Sequence, residues 1–138
     1  MTLSEVMHVH IPSLRLDSTF RDAVDKMDIY QFPALVVVDV DKKPVAVLTE
    51  GDLARAISQK GDVTGLGTAK AIDFATRHPA VAQPDLEVSE ALHLMLTQGH
   101  SLLPIVSDGR LAGIVLRVDL MQALLMDVAA PLPPDAAG

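Results

Sequence analysis

Thr49-Glu50-Gly51-Asp52 ends an apolar run and opens a helix-like segment. A hydroxyl residue followed three positions on by a carboxylate is the pattern of a capping box, which satisfies the orphan amides of a helix start. The same stretch also gathers a hydroxyl, a carboxylate and free helix-start amides, with a glycine that lets a ligand approach the backbone. Both readings stay open on the local pattern. Leu116-Arg117-Val118-Asp119 repeats the outline sixty-seven positions later, keeping the aspartate and losing the hydroxyl. Leucine neither caps a helix nor bonds an anion, so a ligand there needs Arg117 to replace that contact. Otherwise Arg117 is a surface cation. One competent site and one weakened site are expected.

Other chemistry-bearing residues carry less. His8-x-His10 would set two imidazoles on one face of a strand, half of a zinc or copper site, but no third ligand is evident in the sequence. No metal site is expected. His78, His93 and His100 are scattered along the chain, and no pH-sensing role follows from them. Gly65-Leu66-Gly67-Thr68-Ala69-Lys70 lacks both the third glycine of a dinucleotide loop and the Gly-Lys-Ser/Thr ending of a phosphate loop, so it reads as linker, with Lys70 as an electrostatic helper. There is no nucleophile elbow and no HExxH helix, and catalysis is not expected.

The composition narrows the partners. A chain of 138 residues folds as one compact domain or two small units sharing a core. Without cysteine it holds no disulfide or thiolate site, and a reducing cytoplasm is the default expectation. A net charge of -7 argues against broad contact with a nucleic-acid backbone, and aromatic residues at 3% argue against stacking platforms. No apolar run approaches the roughly twenty residues of a membrane span.

The elements that position these residues occur twice. At an offset of 68, Asp17 pairs with Asp85, Ala23 with Ala91 and Met27 with Met95; after a one-residue slip in a turn, Asp41 pairs with Asp108 and Asp52 with Asp119. Phe20, Ala23, Val24 and Met27 follow helical spacing behind Ser18 or Thr19 as cap. ALVVV and PVAVL are β-branched runs around the turn DVDKK, and a helix from about Gly51 to Lys60 stops at Gly61. The second copy offers LEVSEALHLML before Gly99, then LLPIV, SDGR, LAGIVL and VDLMQALLMDV. Residues 1–60 form the first repeat, 61–71 a glycine-rich connector, 72–128 the second repeat, and 129–138 a disordered tail.

Strand-helix-strand-strand-helix repeated in this way resembles the tandem cystathionine-β-synthase domains, the CBS pair or Bateman module. The resemblance covers about Leu3 to Met126. It rests on PALVVVDVDKKPVAVLTEGDL in the first copy, and on ATRHPAVAQPD and SLLPIVSDGRLAGIVLRVDL in the second. It implies an α/β fold in which two β-α-β-β-α repeats pack by pseudo-twofold symmetry through their sheets, leaving two clefts, and a second pairing into a homodimer. It also implies a regulatory ligand rather than a required cofactor: AMP, ADP, ATP with magnesium, or another adenosyl compound. With nothing fused to the repeats, the effector would be a separate protein. In the first cleft the Asp52 carboxylate would accept the ribose diol. Thr49 and the helix start would hold a phosphate, and Thr76, Arg77, His78, His100, Ser101, Leu102 and Leu103 would complete the site. Leu103 would offer an apolar wall. The weaker cleft would use Asp119 and Arg117 with His8, Val9, His10, Phe32, Pro33, Ala34 and Leu35, where Phe32 suits stacking but equally suits core packing. The alternative is a CBS scaffold that dimerises or binds proteins without a ligand.

Overall fold

The computed structural model describes residues 1–128, and the tail expected at 129–138 lies outside them. Four helices and six strands follow in the order β1 (Ser13–Arg15), α1 (Phe20–Tyr30), β2 (Ala34–Val38), β3 (Pro44–Thr49), α2 (Glu50–Lys60), β4 (Thr76–Arg77), α3 (Val88–Gln98), β5 (Leu102–Ser107), β6 (Arg110–Leu116) and α4 (Arg117–Val128). Local chemistry sets the boundaries. Thr19 caps α1, its Oγ1 accepting the Asp22 N–H at 3.1 Å while Asp22 accepts the Thr19 N–H at 2.8 Å. α3 stops at Gly99, whose φ of 70° suits a residue without a side chain.

β2 is buried along its whole length, which explains its unbroken apolar run: one face meets the helices and the other meets the second sheet. β1 lies parallel to β2, and β2 and β3 are antiparallel. β5 and β6 form the matching hairpin of the second copy. Between the sheets lie Ala34, Val36, Val38, Leu102 and Ile114, all buried. Each large side chain withdrawn from water there is worth about 1.5–3 kcal/mol. This contact is the seam between the repeats.

The opening segment of each repeat crosses that seam. β4, from the second repeat, pairs with β3 of the first, Thr76 opposite Val47. His8, from the first repeat, bridges Ile114 of β6 in the corresponding place. A second pair of bridges, Thr2 to Glu87 and Thr19 to Lys70, repeats the symmetry. The exchange reaches the cores. Leu3 is wholly buried among Val88, Ala91, Met95, Leu103, Val115 and Leu120, whereas Leu66, Ala71 and Ile72 are buried with Leu14, Phe20, Leu35, Leu48 and Leu53. The stretch GLGTAK therefore contributes a short 3-10 turn, Leu66–Thr68, to the first core.

Candidate functional site

Thr49 ends β3, and its place two residues after Val47 turns it toward the same face. Val47 packs against the seam, so Thr49 faces the second copy. The chain then enters α2 directly, and the box closes: Thr49 Oγ1 accepts the Asp52 N–H at 3.1 Å, and Asp52 Oδ2 accepts the Thr49 N–H at 2.9 Å. Asp52 Oδ1 accepts from Arg55 Nη2 at 2.6 Å. Both carboxylate oxygens are thus engaged within one helical turn. The Asp52 side chain is only 15% exposed and that of Arg55 is 64% exposed, so the pair sits at the rim of a cavity, with the carboxylate beneath the guanidinium.

That cavity has a volume of about 750 Å³. The first copy lines it with Pro33, Thr49, Gly51, Asp52 and Arg55; the second supplies Thr76, Ser101, Leu116 and Arg117, so it opens between the two helix starts. Arg117, exposed and without an acidic partner within 4.0 Å among the described residues, faces it from α4. Two guanidinium groups, two hydroxyl residues besides Thr49 and two carboxylates, Asp52 and the exposed Glu50, line a space large enough for a mononucleotide. Such a set can accept hydrogen bonds at Asp52 and donate them to an anion at Arg55 and Arg117.

Thr49, Asp52, Thr76 and Ser101 therefore meet in one place. The rest of the expected first set lies elsewhere. Arg77 is exposed and stands 3.8 Å from Asp73. His78 is exposed with a φ of 55°, and His100 bonds Gln98 at 2.9 Å. Leu102 is buried in the seam and Leu103 in the second core, on opposite faces of β5, so neither lines the cavity. An unbroken apolar run such as LLPIV gives no parity from which to assign the two faces.

At the second helix start, Asp119 Oδ2 accepts the Leu116 N–H at 2.8 Å, half of a capping box. The same oxygen lies 2.9 Å from His8 Nε2, and the His8 ring stands edge-on to Phe32 at 5.5 Å. His8, Asp119 and Phe32 thus converge. His10 is exposed, Ala34 is buried in the seam, and Arg117 turns to the larger cavity. Residues 8 to 10 form no strand beyond the single bridge at His8. Among the described residues no cluster of three potential metal ligands occurs, and no helix is long and apolar enough to cross a membrane.

Arg55 escaped the sequence reading. Its signal was the Asp52-to-Arg55 spacing of three on a helix, which puts the two side chains side by side.

This geometry has relatives. The CBS domain model matches residues 3–59 and 70–126, and the chain belongs to that family as a tandem pair. An uncharacterized 17.7 kDa protein from the bps2 3' region of Acidianus ambivalens is 31% identical over 124 residues, 89% of this chain and 73% of its own length. The inosine-5'-monophosphate dehydrogenase of Methanocaldococcus jannaschii is 34% identical over 119 residues, which are 86% of this chain and 22% of the enzyme. Among solved structures, CBSX2 of Arabidopsis thaliana in complex with AMP superposes with a TM-score of 0.79 at 23% identity, covering 92% of this chain and 98% of that one. The CBS domain pair of protein MJ0100, in complex with 5'-methylthioadenosine and S-adenosyl-L-methionine, gives a TM-score of 0.77 at 22% identity over 92% and 98% of the two chains. The CBS pair is a regulatory module, and the dehydrogenase carries most of its length outside the region matched here.

Proposed function

We propose that this chain senses an adenosine-containing nucleotide in the cavity between its repeats and passes the signal to a partner protein in the cytoplasm. The observation that carries this reading is the shared lining: Thr49, Asp52 and Arg55 come from one copy, and Thr76, Ser101 and Arg117 from the other. The adenosyl ligands in the CBSX2 and MJ0100 structures give the chemical precedent. A ribose diol would replace Arg55 at Asp52. The Arg55 side of this pair is open to solvent, which screens it, so the guanidinium can be displaced. The freed guanidinium, with Arg117, would meet the phosphate, with magnesium accompanying ATP. A ligand that ties the start of α2 to the second copy favours the repeat arrangement it contacts best, and that population shift is the signal. The partner reads the altered surface, and the chain pairs as a homodimer through its helices.

A second reading, a scaffold without a ligand, is favoured by one observation: Asp52 is already satisfied by Thr49 and Arg55. Exposed Ile57, Leu96 and Leu125 would then serve dimerisation or partner binding. Thermal unfolding of nucleotide-free protein with AMP, ADP, ATP and S-adenosylmethionine separates the two. A ligand at a hundred times its Kd adds about 2.7 kcal/mol of stability, and the resulting rise in Tm is expected to vanish in Asp52→Ala. If every ligand leaves Tm unchanged, the sensing reading falls and the scaffold stands.

A further inference from the structure

We propose that the second helix start is a site for the same class of ligand which the chain keeps filled with its own His8 imidazole, so that each chain takes one nucleotide. This rests on the sensing function proposed above. Asp119 holds the same station as Asp52: each accepts the N–H of the last residue of a hairpin, Leu116 at 2.8 Å and Thr49 at 2.9 Å. What stands over the two carboxylates differs: Asp52 takes Arg55 from its own helix, and Asp119 takes His8 from the opening segment of the other copy. The residue matching His8 across the pseudo-twofold axis is Thr76, since Val47 pairs with Thr76 as Ile114 pairs with His8. Thr76 is short, exposed and at the edge of an open cavity. His8 is long enough to reach its carboxylate, with Nε2 2.9 Å from Asp119 Oδ2.

The imidazole also stands edge-on to Phe32, at a centroid distance of 5.5 Å. A heteroaromatic ring held between a carboxylate and a phenyl ring presents what a purine nucleoside would present there: a polar group for Asp119 and an aromatic surface for Phe32.

His8 is held in place by its backbone. It exchanges two hydrogen bonds with Ile114, at 2.9 and 3.0 Å, and the chain before it is fastened by the buried Leu3, whose N–H donates to the Leu86 carbonyl at 2.9 Å. The close approach depends on Gly113: a Cβ there would lie 2.6 Å from the His8 carbonyl oxygen. The matching residue of β3 is Ala46. The second copy alone has the gap that lets this strand-like segment settle close enough for its side chain to plug the helix start.

Calorimetric titration of the full chain with AMP tests the assignment. Wild type is expected to bind one AMP per chain, His8→Ala two, and His8→Ala/Asp119→Ala one again. Gly113→Ala changes no cleft side chain and displaces His8 through the backbone, so it is expected to raise the stoichiometry too, and it decides the matter if His8→Ala does not fold. Stoichiometry unchanged by both variants overturns the proposal. The sensing function fails by a different result, AMP binding to wild type that is absent or indifferent to Asp52→Ala. A gain of Asp119-dependent binding in His8→Ala would support the plugged site even then.

Discussion

The two helix starts share only their aspartate, Thr49-Glu50-Gly51 in one copy standing where Leu116-Arg117-Val118 stand in the other, and around it the residues make different bonds. Asp52 completes a box and holds an arginine; Asp119 makes half a box and holds a histidine from the far end of the chain. The first arrangement is local, and Thr49 with Asp52 could be read directly from spacing. The His8 contact spans 111 residues, and no periodicity reports it. Titration is also decided at this scale. The Thr19 N–H and then the Thr19 hydroxyl bond Asp22 in the box of α1 and hold its carboxyl below the ordinary aspartate value. A carboxyl that is more acidic folded than unfolded stabilises the fold above its unfolded value and loses that contribution as pH falls through the folded one. Urea unfolding over a pH series should therefore show wild type more stable than Asp22→Ala at neutral pH, with the gap closing below the carboxylate range. A gap that persists in acid would place the stabilisation elsewhere.

Among the elements, those with strong local signals were legible. Ser18 or Thr19, and Thr49, marked helix starts, Gly61 and Gly99 marked stops, and the β-branched run ALVVV pointed to a strand covered on both faces. The faces of β5 were not legible, because every residue of LLPIV is buried whichever way it points. Nor was the role of the opening segment, since MTLSEVMHVH has neither clear alternation nor a helical stripe. Its one decisive residue is Leu3, wholly buried in the core of the other repeat. Leu3→Ala should cost about 2–5 kcal/mol, the range for truncating a buried leucine. Hydrogen exchange should quicken across α3, β5 and β6 more than across β1 and β2. A loss confined to the amides of residues 1–8 would show that the segment merely rests on the surface.

For the molecule as a whole, the repeat at offsets of 68 and 67 was plain in the sequence, and with it the expectation of two sheets packed on each other, but not the membership of the seam, where Leu102, expected at the ligand site, lies with Val36 and Ile114. The reciprocal exchange of opening segments was hidden, because an offset matches positions within copies and says nothing of which copy a segment joins. Cutting the chain after Gly61 tests its weight. The piece 1–61 lacks Leu66, Ala71 and Ile72 of its core, and the piece 62–138 lacks Leu3. Far-UV circular dichroism should show each piece largely unfolded alone and the mixture regaining helix. Cooperative unfolding by either piece alone would mean that each repeat is self-sufficient.

The crossed segments also set an order on synthesis. Leaving the ribosome, the first sheet waits for residues up to Phe74 before its core can close. The earliest residues wait longer still, because Leu3 packs on Leu120 and His8 pairs with Ile114, among the last parts of the fold to emerge. Half-made chains are therefore kept from settling into a finished first repeat, and the two halves close together once β6 and α4 have emerged.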